Sequence, residues 1–138
     1  MTFLMDTDVV SELRKGHRGH PGVMRWFDET PDTSLHLSVI TVGELTRGIE
    51  LRRRKDAVAS VALEQWLGRV LDLHASRIIP IDQVVADRWG RLGIPDTLPG
   101  ADSLIAATAI VHDLTLVTRN VRDMARTGVR LLDPFAEG

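Results

Sequence analysis

The sequence predicts an α/β sandwich built on a mostly parallel sheet, and three observations predict it. Short apolar runs that suit buried strands alternate with longer stretches of helical periodicity. Two of these runs, Phe3-Leu4-Met5 and Leu116-Val117, pass directly into polar residues: Asp6-Thr7-Asp8 after the first, Thr118-Arg119-Asn120 and then Asp123 after the second. Open parallel sheets keep their sites just past the carboxyl ends of such strands. The chain also shows no internal repeat, no low-complexity tract and no second composition regime, so a single domain over residues 1–138 is expected.

Taken in order, Phe3-Leu4-Met5 is the first strand, and residues 9–14 form a short helix that buries Val9, Val10 and Leu13, with Asp8 placed to cap it. Three glycines and a proline within residues 16–22 impose a loop. His17 and His20 lie in that loop without a third ligand nearby, which favours a solvated surface over a metal pair. Residues 23–29 offer Val23, Met24, Trp26 and Phe27 to a core, and Pro31-Asp32 ends that helix. The second strand is expected over 35–40. Thr41-Val42-Gly43-Glu44 then fits a capping box, Thr41 capping the next helix and Glu44 reaching back to the cap amide.

That helix is expected to reach about residue 51, with Arg52-Arg53-Arg54-Lys55 at its carboxyl end, where positive charge complements the helix dipole. The run suits a solvated terminus and equally a grip on a phosphate backbone. Residues 58–73 read as an amphipathic helix with Val58, Val61, Ala62, Trp66 and Val70 on its buried stripe. Residues 77–80 are a third strand cut off by Pro80. Asp82 caps a helix carrying Val85, Trp89 and Leu92, and residues 93–100, with two prolines, are a loop. Asp102 stands at the mouth of a helix that buries Leu104, Ile105, Ala107 and Ile110. After the Leu116-Val117 strand, residues 129–132 form the last strand before Asp133-Pro134-Phe135.

Composition narrows the function classes. The chain has 138 residues, 43% hydrophobic and 26% charged, enough for a real core and unlike a disordered segment. It has no cysteine, so neither a disulfide framework nor a thiolate metal site can form. The longest uncharged window, residues 33–43, is far below the roughly 18 residues of a membrane span, and no signal-like segment opens the chain. A cytoplasmic protein is the expectation. The net charge of −2 gives no global pull toward nucleic acid, yet the basic residues are almost all arginine, so phosphate binding would be local.

The candidate site is acidic: Asp6, Glu44, Asp102 and Asp123, with Asp8 and Asn120 around them. Each has an ordinary structural role open to it, as strand end, capping box, helix cap or surface turn. Asp6 is the hardest to explain that way, because a carboxylate directly after a buried strand is costly to keep without a partner. If several of these acids converge within about 5 Å, each like-charged pair costs about 3 kcal/mol at an effective dielectric near 20. Protonation or a cation must then relieve the site. All-oxygen ligands favour Mg²⁺ or Mn²⁺ over Zn²⁺, and such an ion suits phosphate-ester hydrolysis.

Four stretches carry a family resemblance: residues 4–13, LMDTDVVSEL; residues 38–45, SVITVGEL, with Gly48-Ile49; residues 102–109, DSLIAATA; and residues 116–120, LVTRN, with Asp123. In order and over nearly the whole chain, including Gly128-Val129 and Asp133-Pro134-Phe135, they resemble the motifs of PIN-domain ribonucleases. In detail the chain is similar to VapC toxins of toxin–antitoxin modules, in the FitB-like branch. The resemblance implies a PIN-like three-layer α/β/α sandwich. It also implies a Mg²⁺-dependent endoribonuclease, in which Mn²⁺ substitutes, that forms a homodimer, is inhibited by a VapB-type antitoxin and meets operator DNA only through that complex.

Carried over by position, Asp6, Glu44, Asp102 and Asp123 match the family's acidic quartet. Asp6 and Asp102 are then the principal metal ligands, with Asp123 the further one, and Glu44 and Asp123 orient waters or hold a second ion. Thr7, Asp8, Ser38, Thr118 and Asn120 surround them, and Arg47, Arg52 and Arg119 are the candidates for holding RNA. Asp8 stands where this branch often has asparagine, and Met124 where phenylalanine is frequent.

Three other readings compete for the same residues. Asp6-Thr7-Asp8-Val9 also fits the opening of haloacid-dehalogenase-like phosphatases, whose first aspartate is a nucleophile. That chemistry needs a downstream lysine, and only Lys15 and Lys55 exist. A receiver domain lacks both its mid-chain strand-end aspartate and its late lysine. A PIN-like binding module without turnover is the non-enzymatic alternative.

Overall fold

The computed structural model describes residues 1–92 and 98–137. The predicted loop over 93–100 falls largely outside the described residues. Among them, five strands form one sheet in the order β3-β2-β1-β4-β5. These are β1 (Phe3–Met5), β2 (Leu35–Ser38), β3 (Ile78–Ile79), β4 (Thr115–Val117) and β5 (Leu131–Leu132). Every pairing is parallel, with Leu4 opposite both His36 and Leu116, and Val117 opposite Leu132.

Side chains alternate across the strands, so the sheet carries a core on each face. Met5, Leu35, Leu37 and Val117 point to one face, against Val9 and Val10 of α1 (Thr7–Leu13), Val23 of α2 (Pro21–Asp28), Leu45 and Ile49 of α3 (Val39–Arg53) and Leu67 of α4 (Ala57–Leu73). Leu4, Ile79 and Leu116 point to the other, against Ile105, Ala106 and Ala109 of α6 (Gly100–Val111) and Met124 of α7 (Val121–Met124). The α5 helix (Gln83–Arg91) buries Val85 and packs on α6. The result is the three-layer α/β/α sandwich.

Strand order fixes where a site can form. The chain steps from β1 to β2 to β3 in one direction, then returns to place β4 on the other side of β1. The carboxyl ends of β1 and β4 therefore flank a topological switch point, where parallel α/β sheets open a crevice.

Several local expectations are corrected. The second strand stops at Ser38 instead of running to residue 40, and Ser38 itself caps α3 by accepting from the Ile40 amide at 3.0 Å. The capping box at Thr41 and Glu44 therefore does not form. The first helix begins at Thr7 and is capped by Asp6, so Asp8 sits in its first turn. The α6 helix starts at Gly100 with Pro99 at the cap position, which places Asp102 inside its first turn. On α4 the buried side is Ser60 and Leu67, flanked by Leu63, Trp66 and Val70, while Val58 and Val61 are exposed and Ala62 faces solvent. Trp89 is likewise 43% exposed, with its indole N–H donating to Ser103 Oγ at 2.8 Å.

Candidate active site

Asp6 is fixed by the two strands that flank the crevice. β1 ends at Met5, and the Asp6 amide still donates to the Val117 carbonyl of β4, which leaves the side chain at the sheet edge with only 6% exposure. Its Oδ1 accepts from the Thr7 amide at 2.8 Å, and its Oδ2 from the Thr118 hydroxyl at 2.7 Å. Thr118 follows β4 and in turn accepts from the Asn120 amide at 3.0 Å. Each carboxylate oxygen retains a lone pair beyond these bonds.

Glu44 comes from α3, two turns in. The Thr7 hydroxyl donates to its Oε1 at 2.6 Å and lies 3.0 Å from the hydroxyl of the buried Thr41. Thr41 is a site residue that sequence reasoning missed. The pattern Thr-x-x-Glu puts both side chains on one helix face, and the same spacing that suggested a cap serves the contact with Thr7. Ser38, expected beside the acids, is buried and engaged in capping α3.

Asp8 accepts from the Arg119 amide at 3.1 Å through Oδ2, while its Oδ1 is buried without a hydrogen-bond partner. Asp102 is half-buried in the first turn of α6, and Asp123 lies in α7 with Arg126 3.9 Å away. Arg119 lies over the Phe135 ring, Arg52 pairs loosely with Asp56 at 4.0 Å, and Arg47 is exposed on α3.

Electrostatics tie the acids together. Burial raises the Asp6 carboxyl above its ordinary value, and the charge of Glu44 adds to that, against the pull of the bonds from Thr118 and Thr7. Burial is also the main cause that lifts Asp102 to about 6, followed by the charges of Asp6, Glu44 and Asp123. Asp8 rises to about 6 through burial and then through Asp6. Acids of α1, α3, α6 and α7 thus feel one another's charge, or that of Asp6, along the carboxyl edge of the sheet.

Among the described residues, no three acidic or histidine groups close around a single point as a metal's ligands do. Their donor set nonetheless fits a hard divalent cation. It is all oxygen, the charge of Glu44 helps to raise Asp6 and the charges of Asp6, Glu44 and Asp123 help to raise Asp102, and neither Asp6, Glu44 nor Asp102 makes an ion pair among the described residues. Asp6 is clamped by two hydrogen bonds, whereas Asp102 is half-buried.

A family profile described as PIN domain matches residues 3–129. The chain belongs to the PIN-domain family. Among PIN relatives, Toxin FitB of Neisseria gonorrhoeae is 34% identical over 140 residues, covering 96% of this chain and 98% of that protein. VapC ribonuclease Y4jK of Sinorhizobium fredii is 30% identical and covers 96% and 97%. Among solved structures, FitAcB from Neisseria gonorrhoeae aligns with a TM-score of 0.80 at 33% identity, over 97% of this chain and 99% of that one. FitAB bound to an IR36 DNA fragment aligns at 0.83 and 28%, over 97% and 96%. This PIN domain is therefore of the FitB and VapC kind. No helix among its described residues is long and apolar enough to cross a membrane.

Proposed function

We propose that the protein is a Mg²⁺-dependent endoribonuclease, with Mn²⁺ as a substitute, and the toxin of a type II toxin–antitoxin module. The observation that carries this reading is the electrostatic coupling of Asp6, Glu44, Asp102 and Asp123 at the switch point, with Asp6 almost wholly buried. The relatives named as a toxin and as a ribonuclease support it.

Asp6, Asp102 and Asp123 hold the ion in this reading. When bound, a hard divalent ion lowers the pKa of water and stabilises charge on a phosphodiester. The chain's own part is placement. Thr118 and the Thr7 amide fix the Asp6 carboxylate, and the Thr7 hydroxyl aims Glu44 to orient the attacking water. Arg119, with Arg47 and Arg52 further out, holds the backbone of single-stranded or looped RNA. Water adds to phosphorus, the bond to the 3′ oxygen breaks, and a 5′-phosphate and a 3′-hydroxyl result.

A phospho-aspartate mechanism has less support. Lys15 pairs with Glu12 at 3.1 Å, and Lys55 is exposed beyond α3. We further infer a cytoplasmic homodimer, in keeping with the apolar side chains exposed on α4. In this reading a VapB-type antitoxin brings a cationic side chain to the acidic site and carries the complex to operator DNA; that FitAB has been solved bound to an IR36 DNA fragment supports the DNA-binding complex.

The test is cleavage of structured RNA by purified, antitoxin-free protein in Mg²⁺. Wild type is expected to cut and leave 5′-phosphates, and Asp6→Asn and Asp102→Asn are expected to be inert. Undiminished cutting by both variants would end this assignment.

A further inference from the structure

Phe135 lies in the short 3-10 turn Pro134–Glu137, beyond the last acid of the site and far along the chain from Asp6, Glu44 and Asp102. Its ring nevertheless sits under the Arg119 guanidinium, whose Cζ is 3.8 Å from the ring centroid. The His20 ring approaches Phe135 as well, at 5.3 Å between centroids and tilted by 59°. Phe135 is held in turn by its own loop: its amide donates to Asp133 Oδ1 at 2.9 Å, Pro134 before it is buried, and the ring packs on the core beside α2.

Arg119 follows Thr118 directly, and its amide is bonded to Asp8, so its backbone is anchored at the acidic crevice. Its side chain is exposed and makes no ion pair among the described residues, although the charges of Asp8 and Glu12 reach it. An arginine stacked on an aromatic face engages its π surface and leaves its in-plane N–H donors available for a phosphate. Without the ring, the same side chain would be drawn toward the Asp8 and Glu12 carboxylates and away from an incoming backbone.

We propose that Phe135 is a positioning residue for RNA: by stacking under Arg119 it holds the guanidinium at the rim of the acidic crevice, presented to a substrate phosphate. The inference rests on the nuclease reading for its substrate. Its geometry comes from the C-terminal turn, which the acidic site does not include.

The experiment is a double-mutant cycle on the full chain: wild type, Phe135→Leu, Arg119→Ala and the double variant, with Phe135→Trp as the conservative rescue. Binding of a fluorescent single-stranded RNA is measured in EDTA across a salt series, and cleavage kinetics are measured in Mg²⁺. Leucine keeps apolar bulk on the core and removes the π face. Phe135→Leu is expected to weaken RNA binding roughly two- to fivefold and to raise KM by the same factor, with kcat much less affected. Tryptophan restores both. Arg119→Ala lowers the salt slope of binding by about 0.7, the value for one lost single-strand phosphate contact. In the Arg119→Ala background Phe135→Leu adds nothing.

Binding and KM in Phe135→Leu equal to wild type would overturn the proposal, and so would a loss of the same size with and without Arg119. Either result alongside Mg²⁺-dependent cutting by wild type leaves the nuclease reading standing. A wild type that neither binds nor cuts RNA overturns both.

Discussion

The two ends of the sheet differ in the property that matters most for chemistry. At the amino ends of β1 and β4 lies a cavity of about 830 Å³, walled by Phe3, Trp26, Pro31, Leu131 and Leu132. Toward the carboxyl end, a groove between α1, α3 and α4 beside Thr7 and Glu44 measures only about 190 Å³ and is not lined by Asp6, Asp102 or Asp123. Of these two, size alone would favour the amino end. Charge reverses that choice. The amino-end cavity has one carboxylate and one guanidinium at its wall, Glu29 and Arg130, and Arg130 already pairs with Asp113 at 2.9 Å. The carboxyl end gathers acids whose carboxyls are raised by burial and by one another. For the proposed phosphodiester hydrolysis, anchored charge matters more than volume.

The contrast can be broken most forcefully at Asp6. Asp6→Asn is expected to cut RNA at least about 100-fold more slowly, because in the proposed reading Asp6 is a metal ligand and not merely a supporting group. Initial rates at saturating Mg²⁺ measure this. Thr7→Val keeps the side-chain shape but removes the hydroxyl that aims Glu44, and a loss of about tenfold in kcat is expected. At the opposite end, Trp26→Ala removes an edge-to-face partner of Phe3, 5.5 Å between centroids. It should lower stability by about 2–3 kcal/mol in urea unfolding while the turnover of the folded molecules stays unchanged. Equal losses of turnover at the two ends would erase the distinction.

The smallest expected effect is on pH dependence. In the folded chain Asp8 and Asp102 hold protons up to about 6, against 3.8 for an ordinary aspartate. Between those values the folded chain binds more protons than the unfolded one, so stability falls as pH rises through the window, and the loss persists above it. Metal-free protein should therefore melt a few degrees higher at pH 5 than at pH 7.5. Asp102→Asn should raise Tm at pH 7.5 by about 3 °C. Scanning calorimetry in EDTA checks both.

How legible this was in the sequence depended on the range of the signal. Asp6 and Thr118 stood out because an apolar run ending in a polar residue marks a buried parallel strand, and the sheet does place β1 beside β4. The start of α3 is displaced from the expected cap at Thr41 to Ser38, because Val39-Ile40 carry the β-branched character of a strand while in fact opening α3. Val58 and Val61 fit a helical stripe, but the buried arc of α4 is centred on Ser60 and Leu67, a choice made by the neighbouring α3 and not by periodicity. The Arg119–Phe135 stack left no local trace at all, since only the packing of the C-terminal turn against α2 brings the two together.

A crystal soaked in Mn²⁺ and measured for anomalous scattering addresses the acidic centre most directly. The account predicts a peak at the carboxyl end of β1, about 2.0–2.2 Å from oxygens of Asp6 and Asp102. Density confined to other surfaces, with Asp6 and Asp102 lacking a shared ion at saturating Mn²⁺, would contradict it.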